Sequence, residues 1–252
     1  MGDLIPVNID DFVEDFLKNI IGVDVLDYQK VGSGGEGYTV IYVCNLDSDQ
    51  SEVLRSTGFK QTEDDLWIFS GFEIEINKLK DTPVMKYLEN LQKEKWSELI
   101  ELRCEIDNNF YTKCNKTIFR STHNTPKTVL KWYGKLTVDE STFNDFISDL
   151  YKILVEIDSE SEKIAEICSS NFLKGIRCYR NTRIAHDSSK TDQLKFAEEY
   201  LNNLIGTGYP KHWYHFVGAQ IRIIEDGIDF LNEIKLKEGE ILDIFTSSQA
   251  RN

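Results

Sequence analysis

From residue 143 to residue 234 the apolar side chains return at three- and four-residue steps, a spacing that only helices can bury. Phe143, Phe146, Ile147, Leu150, Leu154 and Ile157 make the first run, and Thr137 and Glu140 ahead of it have the spacing of a capping box. Ser159 and Glu162 repeat that spacing ahead of Ile164, Ile167, Leu173 and Ile176. A third helix is expected over residues 192–205, stopped by Gly206 and Gly208. A fourth is expected over 211–234, burying Trp213, Val217, Ile221, Ile224, Ile228 and Leu231. Upstream, residues 85–106 are charged but keep Leu88, Leu91, Leu99, Leu102 and Ile106 on one stripe, which predicts another helix. The chain after Asp243 is expected to fray.

The first 80 residues have a different character. Phe12, Val13, Phe16, Leu17 and Ile20 predict a helix over 8–21, capped by Asn8 and ended by Gly22. Residues 38–44 are β-branched and aromatic and predict a strand. Within 66–76, Phe72, Ile74 and Ile76 alternate with polar neighbours and predict a second. Residues 117–119 and 128–133 have the composition of short strands, with a turn at Asn124-Thr125-Pro126 between them. The expected fold class is therefore α+β: a mixed α/β region over 1–80, then a mainly helical domain over 81–252 with its core at about 138–235. Only four prolines occur in 252 residues, which excludes long Pro-rich linkers.

A formal net charge of -14 repels polyphosphate, so nucleic acid can bind only at a locally basic patch. One such stretch exists. Lys174, Arg177, Arg180, Arg183 and Lys190 put five positive charges between residues 171 and 190, where Asp187 is the only acid. His186 lies among them. A histidine can take a proton from a hydroxyl and return one to a leaving oxygen, and an arginine offers a permanent planar charge that fits phosphate. RNA brings its own nucleophile, the 2'-hydroxyl, so proton transfer and charge stabilisation suffice without a metal. Arg180 and His186 stand six residues apart, roughly 120° round a straight helix, so meeting at one phosphate requires a helix end, a kink or a second copy of the segment. The alternative role for both residues is to cap a helix C-terminus, where cations meet exposed carbonyls.

The run I-R-C-Y-R-N-T-R-I-A-H-D, residues 176–187, resembles the signature of HEPN domains, the higher-eukaryote and prokaryote nucleotide-binding superfamily: Arg, a polar residue that is often Asn, a short gap, then His. The variant looks most like bacterial abortive-infection and toxin-type members, and the resemblance covers roughly residues 140–235. It implies a helical bundle that forms a homodimer with the two motifs in one composite cleft, and a metal-independent endoribonuclease without cofactor. Arg180 and His186 would then be catalytic and Asn181 their polar companion, with Lys174, Arg177, Arg183 and Lys190 contacting RNA. The implied partners are an RNA substrate and an antitoxin or regulatory protein. The alternative is a non-catalytic dimer of the same fold that binds a nucleotide or a protein. Members controlled by nucleotidyltransferase antitoxins often carry Tyr two residues after the His; Ser188 stands there, so that mode of control is not expected.

The remaining motifs are weaker. Gly32 to Gly37 has G-x-G-x-x-G spacing, but a strand pattern follows it, no lysine follows it until Lys60, and no kinase catalytic loop appears, so a hairpin loop is expected. His212 and His215 flank Trp213 and Tyr214 without a third metal ligand at matching spacing, and an aromatic helix start is expected there. His123 is expected to be exposed. Cys44, Cys104, Cys114, Cys168 and Cys178 are odd in number and widely spaced, as for reduced, mostly buried thiols. The first residues lack an export signal, Pro6 defeats a myristoylation motif, and no apolar run reaches spanning length; a cytoplasmic protein away from the membrane is expected.

Overall fold

The computed structural model describes residues 7–33, 36–74, 83–119, 121–155, 161–168, 170–184 and 191–247. The chain divides into two compact units, Met1–Leu91 and Gln92–Asn252. Its class is α+β, with the helices concentrated in the C-terminal unit. Among the described residues no helix is long and apolar enough to cross a membrane.

In the first unit, strand β1 (Val7–Asn8) pairs antiparallel with β6 (Glu73–Ile74). Helix α1 (Ile9–Asp11, continuing in π geometry over Phe12–Ile21) starts at Asn8, whose side chain accepts the Asp10 N–H at 3.0 Å. It stops at Gly22, which adopts φ 75°. An antiparallel sheet follows in the order β2-β3-β5-β4: β2 (Asp24–Ser33), β3 (Glu36–Cys44), β4 (Lys60–Glu63) and β5 (Leu66–Ser70). Ile41, Val43 and Trp67 alternate inward from β3 and β5, and Phe12, Val13, Phe16 and Leu17 of α1 are buried in the same unit. Helix α2 (Ser48–Ser56) opens on a reciprocal box between Asp47 and Gln50. The glycine-rich run closes the β2–β3 hairpin: Gly32 pairs with Gly37 and Ser33 with Glu36. Packing alone demands Gly37, because a Cβ there would run into the Val31 carbonyl and the Phe72 ring.

The division between the units falls inside α3 (Pro83–Cys114). The second unit continues with α4 (Thr125–Trp132), α5 (Glu140–Leu150, continuing as a π turn over Tyr151–Val155), α6 (Ser161–Cys168) and α7 (Phe172–Tyr179, continuing as a π turn over Arg180–Ile184). Then come α8 (Thr191–Ile205), α9 (Trp213–Leu236) and α10 (Glu238–Ser247). Helix α9 is buried nearly all round, as the core element of a bundle should be. Trp96, Trp132, Phe143, Phe146, Phe172 and Phe230 fill the space between the helices.

Several sequence expectations need correction. Residues 128–132 are helical, in α4, and Asn124-Thr125-Pro126 opens that helix, because a proline in the first turn loses no intrahelical bond. Residues 117–119 form no strand beyond an isolated bridge at Phe119; the Ile118 and Phe119 N–H groups both donate to the Asp107 carboxylate at 3.0 Å. The capping box ahead of α5 belongs to Asp139 and Thr142. Thr137 is instead buried, its N–H donating to Gln220 Oε1 and its hydroxyl to the Phe216 carbonyl, each at 2.9 Å. The helix expected around 164–176 is two helices, restarted where Ser170 Oγ accepts the Phe172 N–H; Ser159 lies outside the described residues. Of the tail expected to fray after Asp243, residues 244–247 are helical, in α10, and the rest lies outside the described residues.

Helices α7 and α8 approach closely at Gly175, where a Cβ would sit 2.6 Å from the Tyr200 ring. That ring cannot yield: it is buried, and its hydroxyl donates to Asp226 Oδ2 at 2.5 Å. Gly175→Ala is therefore expected to destabilise the protein by about 1–3 kcal/mol, the usual cost of overpacking. Urea unfolding checks this; a variant as stable as the wild type would mean that the two helices separate freely.

Candidate active site

Arg180 is the first residue of the π turn that ends α7. Such turns shift the backbone bonding from i−4 to i−5 and orphan carbonyls, and here the Thr182 hydroxyl donates to the Cys178 carbonyl at 2.8 Å. Among the described residues two further π segments occur, over Phe12–Ile21 and Tyr151–Val155, so π geometry alone does not mark a site. Tyr179 fixes the end of α7 to α5. It is buried, its hydroxyl donates to Asn144 Oδ1 at 3.2 Å, and its ring meets Phe143 edge-on at 5.4 Å. Burial pushes its phenol up, so it stays a neutral donor.

The guanidinium of Arg180 lies 4.4 Å from the centre of the Tyr151 ring, and the side chain is half-buried. Among the described residues no carboxylate pairs with it. Other arginines are committed: Arg55 to Glu52 at 3.7 Å, Arg103 to Asp107 at 3.6 Å, Arg183 to Glu198 at 2.5 Å and Arg222 to Glu225 at 2.8 Å. An aromatic face orients a guanidinium through its quadrupole but leaves the net charge intact. Arg180 therefore offers an approaching anion a full, oriented positive charge.

Lys174 and Arg183 of the stretch face a different way. Lys174 is exposed, with Nζ 4.0 Å from the Phe196 ring of α8. Arg183 stacks at 4.8 Å on Tyr209 besides pairing with Glu198. Tyr209 in turn bonds Glu140; burial and that carboxylate raise its phenol. Asn181 Nδ2 reaches Gln193 Oε1 at 3.5 Å. Lys174, Asn181 and Arg183 thus meet α8 or the loop after it, whereas Arg180 meets the extension of α5. Arg177 is half-buried. His186 and Lys190 lie outside the described residues. Tyr151 and Tyr209, the two aromatic platforms, had no local signal in the sequence, because each is brought to its arginine by tertiary packing.

The remaining candidates have structural roles. His212 caps α9 and stacks on Tyr214 with an interplanar angle of 8°. His215 is buried, and its Nδ1 accepts the Lys211 N–H at 3.1 Å and the His212 N–H at 3.4 Å, which assigns its proton to the other ring nitrogen. His123 is exposed. The cysteines are free; Cys168 and Cys178 are buried, Cys44 and Cys114 half-buried and Cys104 exposed. Burial pushes the Cys168 thiol up to about 11 and raises Cys178 as well, so neither is a nucleophile at neutral pH. Among the described residues no group of three His, Cys, Asp or Glu is placed to hold a metal.

No family model, no curated protein and no solved structure matches the chain. The functional assignment therefore stands on the chemistry of the site.

Proposed function

We propose that the chain is a metal-independent endoribonuclease of HEPN type, acting in a bacterial phage-defence or toxin system at a site shared across a homodimer. The observation that carries the proposal is the guanidinium of Arg180, held on the Tyr151 ring with no carboxylate partner among the described residues. In the mechanism, the RNA 2'-hydroxyl attacks the adjacent phosphorus. One His186 takes the hydroxyl proton, and a second donor, which the partner's copy of the motif would supply, gives a proton to the departing 5'-oxygen. Arg180 holds the charge that develops on the non-bridging oxygens. The products carry a 2',3'-cyclic phosphate and a 5'-hydroxyl. Asn181 positions the segment, and Lys174, Arg177, Arg183 and Lys190 meet the RNA backbone. Arg183 contributes less, since Glu198 already neutralises it. The N-terminal region would sense, regulate or bind an antitoxin or other partner protein.

Cleavage of RNA by the full chain in EDTA tests this. Wild type is expected to yield cyclic-phosphate ends, and Arg180→Ala and His186→Ala are each expected to lower the rate about a hundredfold or more. Cleavage by both variants at the wild-type rate would overturn the assignment. Binding without cleavage across varied RNAs would leave the chain a binding module of the same fold.

A further inference from the structure

Arg103, in the middle of α3, is 5% exposed, and desolvating a guanidinium is costly unless each donor finds a partner. Here the donors are well placed. Nε donates to the Ile153 carbonyl at 3.1 Å, one terminal nitrogen donates to Ser121 Oγ at 2.9 Å, and the other faces Asp107 at 3.6 Å. The guanidinium also lies 5.4 Å from the Phe119 ring centre. Asp107 is occupied on its second oxygen by the Ile118 and Phe119 N–H groups at 3.0 Å. One buried ion pair therefore ties α3 to the segment after it and to the extension of α5.

The target of Nε is the informative part. Ile153 lies inside the π turn Tyr151–Val155, and its carbonyl accepts the Arg103 Nε donor from α3. The first residue of that turn is Tyr151, whose ring carries the Arg180 guanidinium at 4.4 Å. The geometry points to Arg103 as the positioning residue of the site: by bonding the Ile153 carbonyl it sets the π turn, and the turn sets the ring on which Arg180 rests. Asp107 orients Arg103 from the far side. Arg103 itself is buried and touches no substrate. The consequence for catalysis rests on the ribonuclease proposal, but the coupling from Arg103 to Tyr151 does not.

Fluorine NMR of the full chain labelled with 3-fluorotyrosine tests the coupling. The chain has eleven tyrosines, and the resonance lost in Tyr151→Phe belongs to Tyr151. Arg180→Ala marks where that resonance moves when the cation leaves the ring. Arg103→Lys keeps a charge for Asp107 but loses the Nε donor, and Arg103→Met removes both. Each is expected to move the Tyr151 resonance most of the way to its position in Arg180→Ala, while the tyrosines of the N-terminal unit stay in place. A Tyr151 resonance at its wild-type position in folded Arg103→Lys would overturn the proposal. Absence of RNA cleavage by the wild type would sink the ribonuclease assignment and leave this result standing.

Discussion

Gln220→Ala is expected to remove about 3–5 kcal/mol of unfolding free energy, from unmet hydrogen bonds and a cavity together. Gln220 is fully buried in α9. Its Oε1 accepts the Thr137 N–H at 2.9 Å and lies 3.3 Å from the Thr137 hydroxyl, and its Nε2 donates to the Lys135 carbonyl at 2.9 Å. Truncation leaves a backbone donor and a backbone acceptor stranded, each costing about 1–3 kcal/mol when no water replaces the partner. Gln220→Leu separates the two contributions: it refills most of the volume but strands the same groups, so it should recover only the cavity share. Gln220→Glu keeps the acceptor but loses the donor and buries a charge, and it should be no better than Ala. The measurement is the urea midpoint at an unchanged m-value, which reports stability alone. A loss below about 1 kcal/mol for Gln220→Ala would show that water reaches Thr137 and Lys135 from outside.

The same residues show why parts of the fold were legible in the sequence and others were not. Helix α9 and helix α8 stand within two residues of their expected bounds, because a buried stripe repeats for three or more turns in each. Helix α1, with its Asn8 cap and Gly22 stop, was equally plain. Strand β2 carries no alternating signal: a bulge between Val25 and Asp27 breaks the two-residue alternation and leaves Leu26 exposed. Helix α2 is short and has only Val53 and Leu54 buried, too few for a periodic signal. Residues 128–132 looked strand-like from their β-branched and aromatic content, yet Trp132 is anchored in the helical core, with its indole N–H donating to Asp149 Oδ2 at 3.1 Å. Thr137 looked like a cap because sequence spacing cannot tell a hydroxyl facing the helix start from one facing α9 83 residues away.

At the site, the arginine was legible and its support was not. Tyr151 lies on an amphipathic helix, where an aromatic at the right phase reads as core. Arg103 and Asp107 stand four residues apart, a spacing that helix-surface pairs share; only the fold shows them buried. The run of basic residues promised a uniform positive patch, but packing against α8 neutralises Arg183 and turns Arg180 the other way.

Phe146→Ala is expected to cost about 3–5 kcal/mol, as for other fully buried aromatics reduced to Ala. Phe146 is at the aromatic centre of the second unit, 5.3 Å from Trp132 edge to face, 6.1 Å from Trp96 and 6.5 Å from Phe143. All four rings are essentially inaccessible, and the indole N–H groups of Trp96 and Trp132 are tied to the Val129 carbonyl and to Asp149. Those bonds keep the neighbours from collapsing into the space, which places the cost toward the upper end of that range. Phe143 joins Phe146 on α5 and meets Tyr179 edge-on, so the loss is felt at the end of α7 where Arg180 begins. Phe146→Leu, which removes less volume, should cost less than half as much. The void left by Ala would face the rings of Trp96, Trp132 and Phe143, so it should stay dry and accept benzene. Benzene should therefore raise the melting temperature of Phe146→Ala and leave that of the wild type unchanged, by mass action on the folded state. A stable Phe146→Ala that ignores benzene would mean that α5 closes the gap by moving, and the Tyr151 platform would then have to move with it.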